Sequence, residues 1–569
     1  MHPTPTLPPP TRGEYDPAER MVRRPFSSPG YHTTLTGGEV HPTRDSLNYA
    51  ARLVSFGTPE SVELGLRIAD RVVALQDQAP DSQTYGIWSW FLEEPLDKMA
   101  PPDWNWADFC GVRLLSIAEE CPRWPSDALR RRIDDALKHA AGSIRRRDVN
   151  LDYTNIAIMG TYVTLAAAQR LGDADLLAYA LDRLRRFYDF TEAEDALLEY
   201  NSPTYTMIAI RELGRVRSVT PPGEPQRMAE SLFDRACREL ATHYHPPTGQ
   251  WAGPHSRCYQ TLLTDERRRE IDLLLGRADP DDLPGTASDR LTRDAMPDPL
   301  RDAFVALDAP VQRQRRIGTA EPPLVGTTYL HPRFAVGSIS HSQMWNQQQP
   351  LVAYWGSPSD PAYLRVRVLV DHADLQAALL TSVQHEGHVL ACIRLASDQA
   401  LRHIFFEQLQ HHRLPASDLR VRFEFGGSAR SLNLATPEAI HTPIGFSHGR
   451  VHGRIHVADA ALDATDTTPF WASSRDDRAA YQDLVLHTGG EHTFDLQRVD
   501  RAFAAFGLSL AGDATPLPEF ESQFGRETIE LRVEEVSMRC SVASATQREL
   551  LRQTTWHRAK PIHASSPLR

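Results

Sequence analysis

Two segments that are remote in sequence place tyrosines beside side chains that can hold a carboxylate or move a proton. The first runs from Glu199 to Tyr205 with the sequence EYNSPTY, and the second runs from Gly253 to Tyr259 with the sequence GPHSRCY. Each lies where a helix is expected to begin, and the first turn of a helix has unpaired N–H groups. These two segments are therefore the first candidates for chemistry.

Tyr205 is a better candidate base than an average tyrosine. Ser202 and Pro203 suit the N-cap and the first position of a helix, and apolar residues with a spacing close to 3.6 follow them. Tyr205 would then lie in the first turn, where the helix dipole favours an anion and reduces the cost of a phenolate. The competing interpretation is a half-buried ring whose hydroxyl group binds a carbonyl.

The composition is that of an ordinary globular chain with more than one domain. The chain has 569 residues, 41% hydrophobic and 24% charged. Residues 1–30 are rich in proline and have no apolar stretch, so they do not resemble a secretory signal. No apolar run approaches the ~20 residues that cross a bilayer. We therefore expect a cytoplasmic location and no membrane partner.

Charge and cysteine usage argue against nucleic-acid-binding, zinc-binding and disulfide-rich classes of protein. Lys and Arg number 62 against 74 Asp and Glu, a net charge of −12 that disfavours a nucleic-acid binder. The six cysteines form no CxxC pair, so neither a zinc site nor a disulfide framework is indicated. His385-Glu386-Gly387-His388 lacks the spacing of a zinc motif and is typical of a hairpin turn. We expect no metal and no cofactor.

Helical patterns dominate the first half of the chain. Short loops join them, with Gly172 and Gly214 near predicted helix ends. The predicted helices are 45–55, 59–77, 105–121, 126–146, 153–171, 174–190, 203–217, 225–243 and 261–276. Because no repeat of fixed period is visible, stacked helical hairpins in an incomplete α/α toroid are favoured over a regular solenoid.

The spacing of apolar residues changes in the second half of the chain. Residues 362–370, 419–425 and 528–533 alternate apolar and charged side chains, which is typical of half-buried antiparallel strands. The predicted organisation is a Pro-rich extended arm over 1–44, an α/α-toroid catalytic domain over 45–277, a linker with a short helix over 278–325, and an antiparallel β-sandwich over 326–569.

Three segments resemble the α/α-toroid polysaccharide lyases, the group that includes heparinase II/III-like, alginate and chondroitin lyases. Trp104 to Phe109 is similar to the Asn-Trp segment that opens a cleft helix in some members. Glu199 to Tyr205 resembles their Ser-Pro-x-Tyr segment, and Gly253 to Tyr259 places a His and a Tyr on a further loop. The resemblance implies β-elimination on a uronic-acid-containing oligo- or polysaccharide.

In that group a neutralising side chain pairs with the substrate carboxylate, a Tyr or His removes the adjacent proton, and a Tyr protonates the departing oxygen. The resemblance implies Asn155 or Asn201 as the neutraliser, His255 with Arg257 as its partner or the base, and Tyr205 or Tyr259 as base and acid, beside Glu199. The frequent Asn-His pair is absent, because Ile156 follows Asn155. The base assignment stays open between His255 and Tyr205.

Aromatic and amide side chains are candidate contacts to a sugar. Tryptophans cluster at 88, 90, 104 and 106, and such rings either stack on sugars or pack in a core. The amide-rich run 340–350 would be costly in a core, at about 1–3 kcal/mol for each unsatisfied group. The candidate substrate-binding residues are Trp88, Trp90, Trp104, Asn105, Trp106, Tyr153, Tyr200, His341, Trp345, Asn346 and Gln347.

Three other functions fit the same sequence. A glycoside hydrolase needs two carboxylates ~5–9.5 Å apart, and Glu199 with Asp152 or Asp108 would serve. A cytoplasmic biosynthetic enzyme could use the scaffold for elimination or cyclisation of a small-molecule carboxylate. A non-catalytic carbohydrate-binding protein would depend on the tryptophans. The lyase is favoured because both segments are richer in Tyr, Asn and His than in acids. The sequence indicates no oligomeric state.

Overall fold

Two units make up the fold, and each of them draws on several separate segments of the sequence. A computed structural model describes residues 7–28, 31–278, 286–398, 412–513 and 515–557. The helical unit comprises Met1–Ala193, Met207–Ala236 and Arg269–Met296, and the β unit comprises Glu194–Thr206, Cys237–Arg268 and Pro297–Arg569. The chain therefore passes between the units several times.

Capping residues define several of the helix ends. Thr58 accepts a hydrogen bond from the Ser61 N–H group at the start of α2, and Gly172 ends α5 in the left-handed conformation, whereas Gly214 lies inside the helix Tyr205–Val219. The helices, some of which continue into the β unit, are α1 Thr43–Phe56, α2 Pro59–Val73, α3 Trp106–Glu120, α4 Asp127–Arg147, α5 Thr154–Leu171, α6 Ala174–Glu194, α7 Tyr205–Val219, α8 Glu224–His243 and α9 Asp265–Leu274. Helix α3 packs against α1, α4 and α5.

The N-terminal segment of the helical unit forms a small antiparallel sheet. Its strands are β1 Glu14–Asp16, β2 Met21–Ser27 and β3 Gly37–Val40. Arg24 forms an ion pair with Asp45 of α1 at 2.8 Å. The buried carboxylate of Glu94 accepts hydrogen bonds from the Thr33 and Thr34 side chains. Polar contacts therefore attach this arm to α1 and to the loop that contains Glu94.

The β unit contains the remaining strands and a short C-terminal helix. They are β4 Tyr244–His245, β5 Gln250–Trp251, β6 Val311–Ile317, β7 Leu324–His331, β8 Phe334–Ile339, β9 His341–Gln343, β10 Leu351–Ser357, β11 Asp360–Val370, β12 Ala373–Asp374, β13 Ala378–His385, β14 His388–Leu395, β15 Arg413–Gly427, β16 Ile444–His448, β17 Val451–Leu462, β18 Phe470–Arg475, β19 Ala479–Asp495, β20 Ala502–Gly512, β21 Phe520–Phe524, β22 Thr528–Val533, β23 Val536–Ser541, α10 Gln547–Arg552 and β24 Thr555–His557. The segments predicted from alternation lie in β11, β15 and β22.

These strands form antiparallel sheets in layers. The largest sheet has the order β18-β19-β15-β11-β10-β8-β7-β6, with β12 paired to β11, and the second has the order β16-β17-β20-β14-β13-β9. One apolar core contains inward side chains of both sheets, and Phe423 of β15 meets Phe506 of β20 edge-to-face at 5.0 Å. This is the sandwich that the sequence predicts.

A four-stranded sheet, β21-β22-β23-β24, covers the other face of the second sheet and was not predicted separately. A second apolar cluster joins Leu390 and Ala505 to Ile529, Leu531 and Met538. Helical hairpins followed by an antiparallel sandwich confirm the predicted class, an incomplete α/α toroid with a β-sandwich. Across the described ranges, no helix is both long and apolar enough to cross a membrane.

Replacement of Phe423 by Ala tests the inter-sheet core. We expect Phe423→Ala to lower the free energy of unfolding by about 3–5 kcal/mol, because it leaves a cavity opposite Phe506. Guanidinium titration followed by tryptophan fluorescence measures the change. The control is Phe470→Ala on β18, where the side chain is 42% exposed, with an expected change below about 0.5 kcal/mol. Equal losses in the two variants would contradict this assignment of the core.

Candidate active site

The side chain of Asn201 joins the two segments that the sequence singles out. Its backbone has a φ of 43°, in the left-handed region that Asn tolerates. The buried Nδ2 donates to the carbonyl groups of Ala252 at 2.9 Å and Pro254 at 2.7 Å, and Oδ1 accepts from Trp251 Nε1. The carboxamide is fully used inside the protein. The role of carboxylate neutraliser expected for Asn201 therefore does not fit its position.

The 253–259 segment packs closely against β8 at Gly253. A Cβ atom at Gly337 would clash with the carbonyl oxygen of Gly253, so only glycine allows this approach of the two backbones. The N–H and carbonyl groups of His255 pair with those of Gln349, both at 3.0 Å. The 253–259 segment is thereby attached to the amide-rich run 340–350.

His255 is a buried, neutral histidine. Its Nδ1 donates to the carbonyl oxygen of Asn201 at 2.8 Å, and its Nε2 lies 3.1 Å from the hydroxyl group of Tyr354. Burial lowers the pKa of His255 to about 4. With 1% of the residue exposed, the ring cannot reach a substrate, so the expectation that His255 acts as a base is wrong. Its role is to hold the loop.

Tyr205, Arg257 and Tyr259, here called the Tyr–Arg cluster, come together in the β unit. The hydroxyl oxygens of Tyr205 and Tyr259 are 2.9 Å apart. Arg257 Nη2 donates to the Tyr205 hydroxyl group at 3.0 Å, and its guanidinium carbon lies 4.6 Å from the centre of the same ring. Tyr259 is 56% exposed, so the chain of hydrogen bonds ends at the surface.

Three further side chains hold the Arg257 guanidinium. Its Nε donates to Gln347 Oε1 at 2.8 Å, and its carbon lies 4.8 Å from the centre of the Trp345 ring. Glu199 Oε1 is 3.5 Å from Nη1, which is a loose contact. The guanidinium therefore lies between two aromatic rings, a geometry that favours a planar cation. The sequence-predicted residues Glu199, Trp345 and Gln347 are brought together here.

Tyr205 holds its proton more firmly than its position in the helix suggests. Helix α7 begins at Tyr205, whose N–H group donates to Ser202 Oγ at 2.9 Å. Burial raises the pKa of Tyr205 well above its usual value, and Arg257 lowers it by a smaller amount. We expected the first helical turn to lower the cost of forming the Tyr205 phenolate. That expectation is wrong, because burial raises the pKa of Tyr205 by more than the helix dipole can lower it. At neutral pH the group is a phenol.

The four tryptophans predicted as candidate sugar contacts lie in the helical unit. Trp88 is completely buried and its Nε1 donates to the carbonyl oxygen of Val72 at 2.9 Å, so it belongs to the core and cannot bind a sugar. Trp90 and Trp106 are partly exposed and stack with ring centres 5.1 Å apart. Trp104 donates its Nε1 to Gln83 at 3.2 Å. Three of the four tryptophans therefore keep some accessible surface.

The polar candidates of the helical unit lie near the starts of α3 and α5. Asn105 accepts from Arg147 at 2.7 Å and donates to the Tyr153 hydroxyl group at 3.3 Å. Tyr153 is the N-cap residue of α5 without a capping side-chain bond, and Asn155 is buried in the first turn. Burial raises the pKa of Asp108 to about 7. Asp152 is exposed.

The remaining candidates lie at different places in the β unit. Tyr200 packs against an apolar cluster that includes Ala196 and Ile317. His341 Nε2 is 3.3 Å from the Pro322 carbonyl oxygen, and Asn346 is exposed. Tyr354 could not be found from the sequence, since a tyrosine inside the apolar strand β10 carries no local signal of its contact with His255.

Comparisons with known proteins find one family model and several solved structures. A family model described as a domain of unknown function (DUF8769) matches residues 27–267. No curated protein matches the chain in sequence. Among solved structures, heparinase III is similar, with 8% identity over 88% of this chain and 82% of that chain and a TM-score of 0.47.

Two further solved structures are similar. Chondroitin AC lyase from Streptomyces coelicolor A3, in complex with chondroitin sulphate, has 9% identity over 88% of this chain and 80% of that chain, with a TM-score of 0.44. A heparan sulfate lyase mutant from Pedobacter heparinus has 9% identity over 86% of this chain and 82% of that chain, with a TM-score of 0.34.

Replacement of Asn201 tests whether its hydrogen bonds hold the 199–205 and 251–254 segments together. Asn201→Ala leaves the buried Trp251 Nε1 and two carbonyl groups without their partner, and each such group costs about 1–3 kcal/mol. We expect a loss of at least ~3 kcal/mol in the free energy of unfolding, measured by denaturant titration. The control is Asn346→Ala, whose side chain is exposed. A loss of unfolding free energy no larger than that of the control would show that the Asn201 hydrogen bonds do not stabilise the fold.

The buried neutral ring of His255 makes stability depend on pH. Its folded-state pKa of about 4 lies below the unfolded value of about 6.5, so the unfolded chain binds more protons between these values. Stability contributed by neutral His255 is present above pH ~6.5 and is lost as pH falls towards ~4, by at most about 3 kcal/mol. We expect His255→Gln to flatten the dependence of the urea midpoint on pH between these values.

The slope rather than the midpoint is the readout, because the substitution also changes stability at neutral pH. His441→Gln replaces an exposed histidine and should keep the slope of the wild-type protein. An unchanged slope in His255→Gln would mean that His255 does not titrate below its unfolded value.

Proposed function

We propose that the protein is a carbon–oxygen lyase that cleaves a uronic-acid-containing oligo- or polysaccharide by β-elimination. The observation that carries the proposal is the chain of hydrogen bonds from Arg257 through Tyr205 to the exposed Tyr259. It joins a fixed positive charge to two phenols. Such groups can neutralise a carboxylate and move a proton beside it.

Arg257 is the proposed partner of the uronate carboxylate, in place of Asn201. The ion pair with Glu199 is long, at 3.5 Å, and a guanidinium has five donors in a fork that matches a carboxylate. A substrate carboxylate can therefore bind without breaking a close ion pair. Its neutralisation makes the neighbouring C5 proton more acidic, which is the first requirement of elimination.

The two phenols are the proposed route for the proton. Tyr259 is exposed and can reach a sugar, while Tyr205 lies behind it and shares its proton through the 2.9 Å contact. Tyr205 first releases its proton to solvent through the exposed Tyr259. Tyr259 then accepts the C5 proton while its own proton passes to the Tyr205 phenolate. The C5–H and C4–O bonds break, a C4–C5 double bond forms, and a proton returns through Tyr259 to the leaving oxygen. Arg257 lowers the pKa of Tyr205 against the effect of burial, and so stabilises the phenolate that must accept the proton.

The immediate partners of Tyr205 favour elimination over hydrolysis. They are a guanidinium and a second phenol, whereas a glycoside hydrolase acts through two carboxylates on either side of the bond. Glu199, the carboxylate proposed for hydrolysis, lies against Arg257. A small-molecule carboxylate with a leaving group on the β carbon would meet the same chemistry, so substrate size is left to experiment.

A panel of uronic-acid polymers and oligomers tests the proposal. Incubation with the full chain should raise the ultraviolet absorbance of a C4–C5 unsaturated product. Because general acid–base groups contribute about 100- to 10,000-fold, Tyr205→Phe and Tyr259→Phe should each lower kcat by at least about 100-fold. Arg257→Gln should raise KM as well as lower kcat, since it removes the partner of the carboxylate.

Tyr481→Phe is the matched control. Tyr481 lies on β19 and its hydroxyl group donates to Asp476 at 2.9 Å, so its removal should leave turnover unchanged. Normal turnover in Tyr205→Phe would exclude this tyrosine from catalysis. Reducing ends released without the absorbance change would instead indicate a hydrolase.

A further inference from the structure

His41 lies between two carboxylates in the N-terminal part of the helical unit. It follows β3 directly and precedes α1, from which Pro42 separates it. Its Nδ1 is 2.5 Å from Glu93 Oε1, and its Nε2 is 3.1 Å from Asp16 Oδ2. The side chains of His41 and Asp16 are 12% and 18% exposed, so water screens their contact less than at an open surface.

Both ring nitrogens of His41 carry a proton in this arrangement. A neutral imidazole has one donor and one acceptor, whereas an ionised carboxylate only accepts hydrogen bonds. Two carboxylates on opposite sides of the ring are therefore satisfied together by the imidazolium alone. Burial lowers the pKa of His41, but Glu93 and Asp16 raise it by more, so the net change is upward. The hydrogen bond from His41 lowers the pKa of Asp16 in turn.

The two carboxylates are held in different ways. Glu93 Oε2 also accepts from the backbone N–H group of His41 at 3.0 Å, and the Leu92 N–H group donates to the His41 carbonyl oxygen at 3.1 Å. These contacts need no charge on the ring. Asp16 is bound within its own turn, where Oδ1 accepts from the Ala18 N–H group at 2.8 Å. Loss of the charge on His41 therefore frees Asp16 rather than Glu93.

Asp16 ends β1, which is the edge strand of its sheet. The strand pairs with β2 over three residues, Glu14 to Asp16. Tyr15 packs against Tyr49 of α1 with ring centres 6.2 Å apart. Because so short a ladder contributes few hydrogen bonds, the contact between His41 and Asp16 is an important attachment for the end of β1.

The other charged groups of this sheet and of the helices that contact it have partners of their own. The ion pairs are Glu14 and Glu39 with Arg23, Arg24 with Asp45 of α1, and Glu19 with Arg71 of α2. In the neighbouring loop, Glu94 accepts from Thr33 and Thr34. The imidazole of His32 lies 2.7 Å from the Pro101 carbonyl oxygen. His41 is thus the imidazole that contacts β1.

We propose that His41, Asp16 and Glu93 form a pH-sensitive clasp, in which the imidazolium attaches the end of β1 to the segment before α1 and the neutral ring releases it. The ordinary pKa of a histidine in an unfolded chain is about 6.5, and the folded-state pKa of His41 lies higher. The attachment is therefore complete below pH ~6.5 and is lost as the pH rises through the folded-state pKa. The proposal does not depend on the proposed lyase activity.

Two measurements on the full chain test the clasp. Exchange of the imidazole C2 hydrogen, followed by mass spectrometry as a function of pH, locates the pKa of His41. Amide hydrogen exchange in peptides that cover residues 12–18, divided by the intrinsic rate at each pH, follows the attachment of β1. We expect His41 to titrate above pH ~6.5, and the protection of β1 to fall by about tenfold for each pH unit by which that pKa exceeds ~6.5.

Three variants separate the clasp from other effects of pH. Asp16→Asn should lower the pKa of His41 and leave β1 weakly protected at every pH, as should His41→Gln for the protection. The matched control is Glu39→Gln on β3, an exposed carboxylate 3.9 Å from Arg23, which should keep the pKa and the protection of the wild-type protein.

A His41 pKa at or below ~6.5, or a protection of β1 that stays constant while His41 titrates, would overturn the proposal. Both results come from the wild-type protein, so the decision does not require that the variants fold.

Discussion

The hydrogen bonds of one buried carboxamide hold the candidate active site together. Asn201 turns the chain in a left-handed conformation and satisfies three groups of the 251–254 segment with its two donors and one acceptor. Leaving a buried amide unsatisfied costs about 1–3 kcal/mol for each group. These hydrogen bonds therefore favour the fold in which the Asn201 segment lies against the 251–254 segment. The chain that follows this turn begins α7 at Tyr205, and the segment bound by Asn201 continues to Arg257 and Tyr259. The proposed proton chemistry thus depends on the buried residue Asn201.

Two electrostatic effects compete at Tyr205, and their magnitudes decide its state. A helix N-terminus favours an anion by about 0.3–1 kcal/mol at an exposed position, whereas a single pKa unit already corresponds to about 1.4 kcal/mol. Burial raises the pKa of Tyr205 by more than Arg257 and the helix can offset. The phenol therefore keeps its proton in the free protein. In the proposed mechanism Arg257 both neutralises a bound carboxylate and stabilises a phenolate, and Gln347 and two aromatic rings hold its guanidinium.

Much of the architecture could be predicted because it depends on local periodicity. The pattern over 59–77 predicted a helix close to α2, Pro59–Val73, and the alternation over 528–533 coincides with β22. The assembly of each unit from separate segments of the chain could not be predicted in this way, since it follows from contacts between residues that are distant in sequence. The same holds for Trp88, for which the sequence leaves sugar stacking and core packing open and whose side chain is in the core. Residue type states what a side chain can do, but accessibility depends on the packing around it.

The sequence by itself determined the class of fold, the two segments that carry the candidate chemistry and the residue types within them. Periodicity, capping residues and the coincidence of Tyr, Arg and amide side chains are properties of neighbouring residues, so they can be read without coordinates. Only the tertiary structure decided which of these side chains face water. It assigned His255 and Asn201 to the interior and placed Arg257 between the phenols and Glu199, because hydrogen bonds and desolvation depend on which distant groups share the same few ångströms of space.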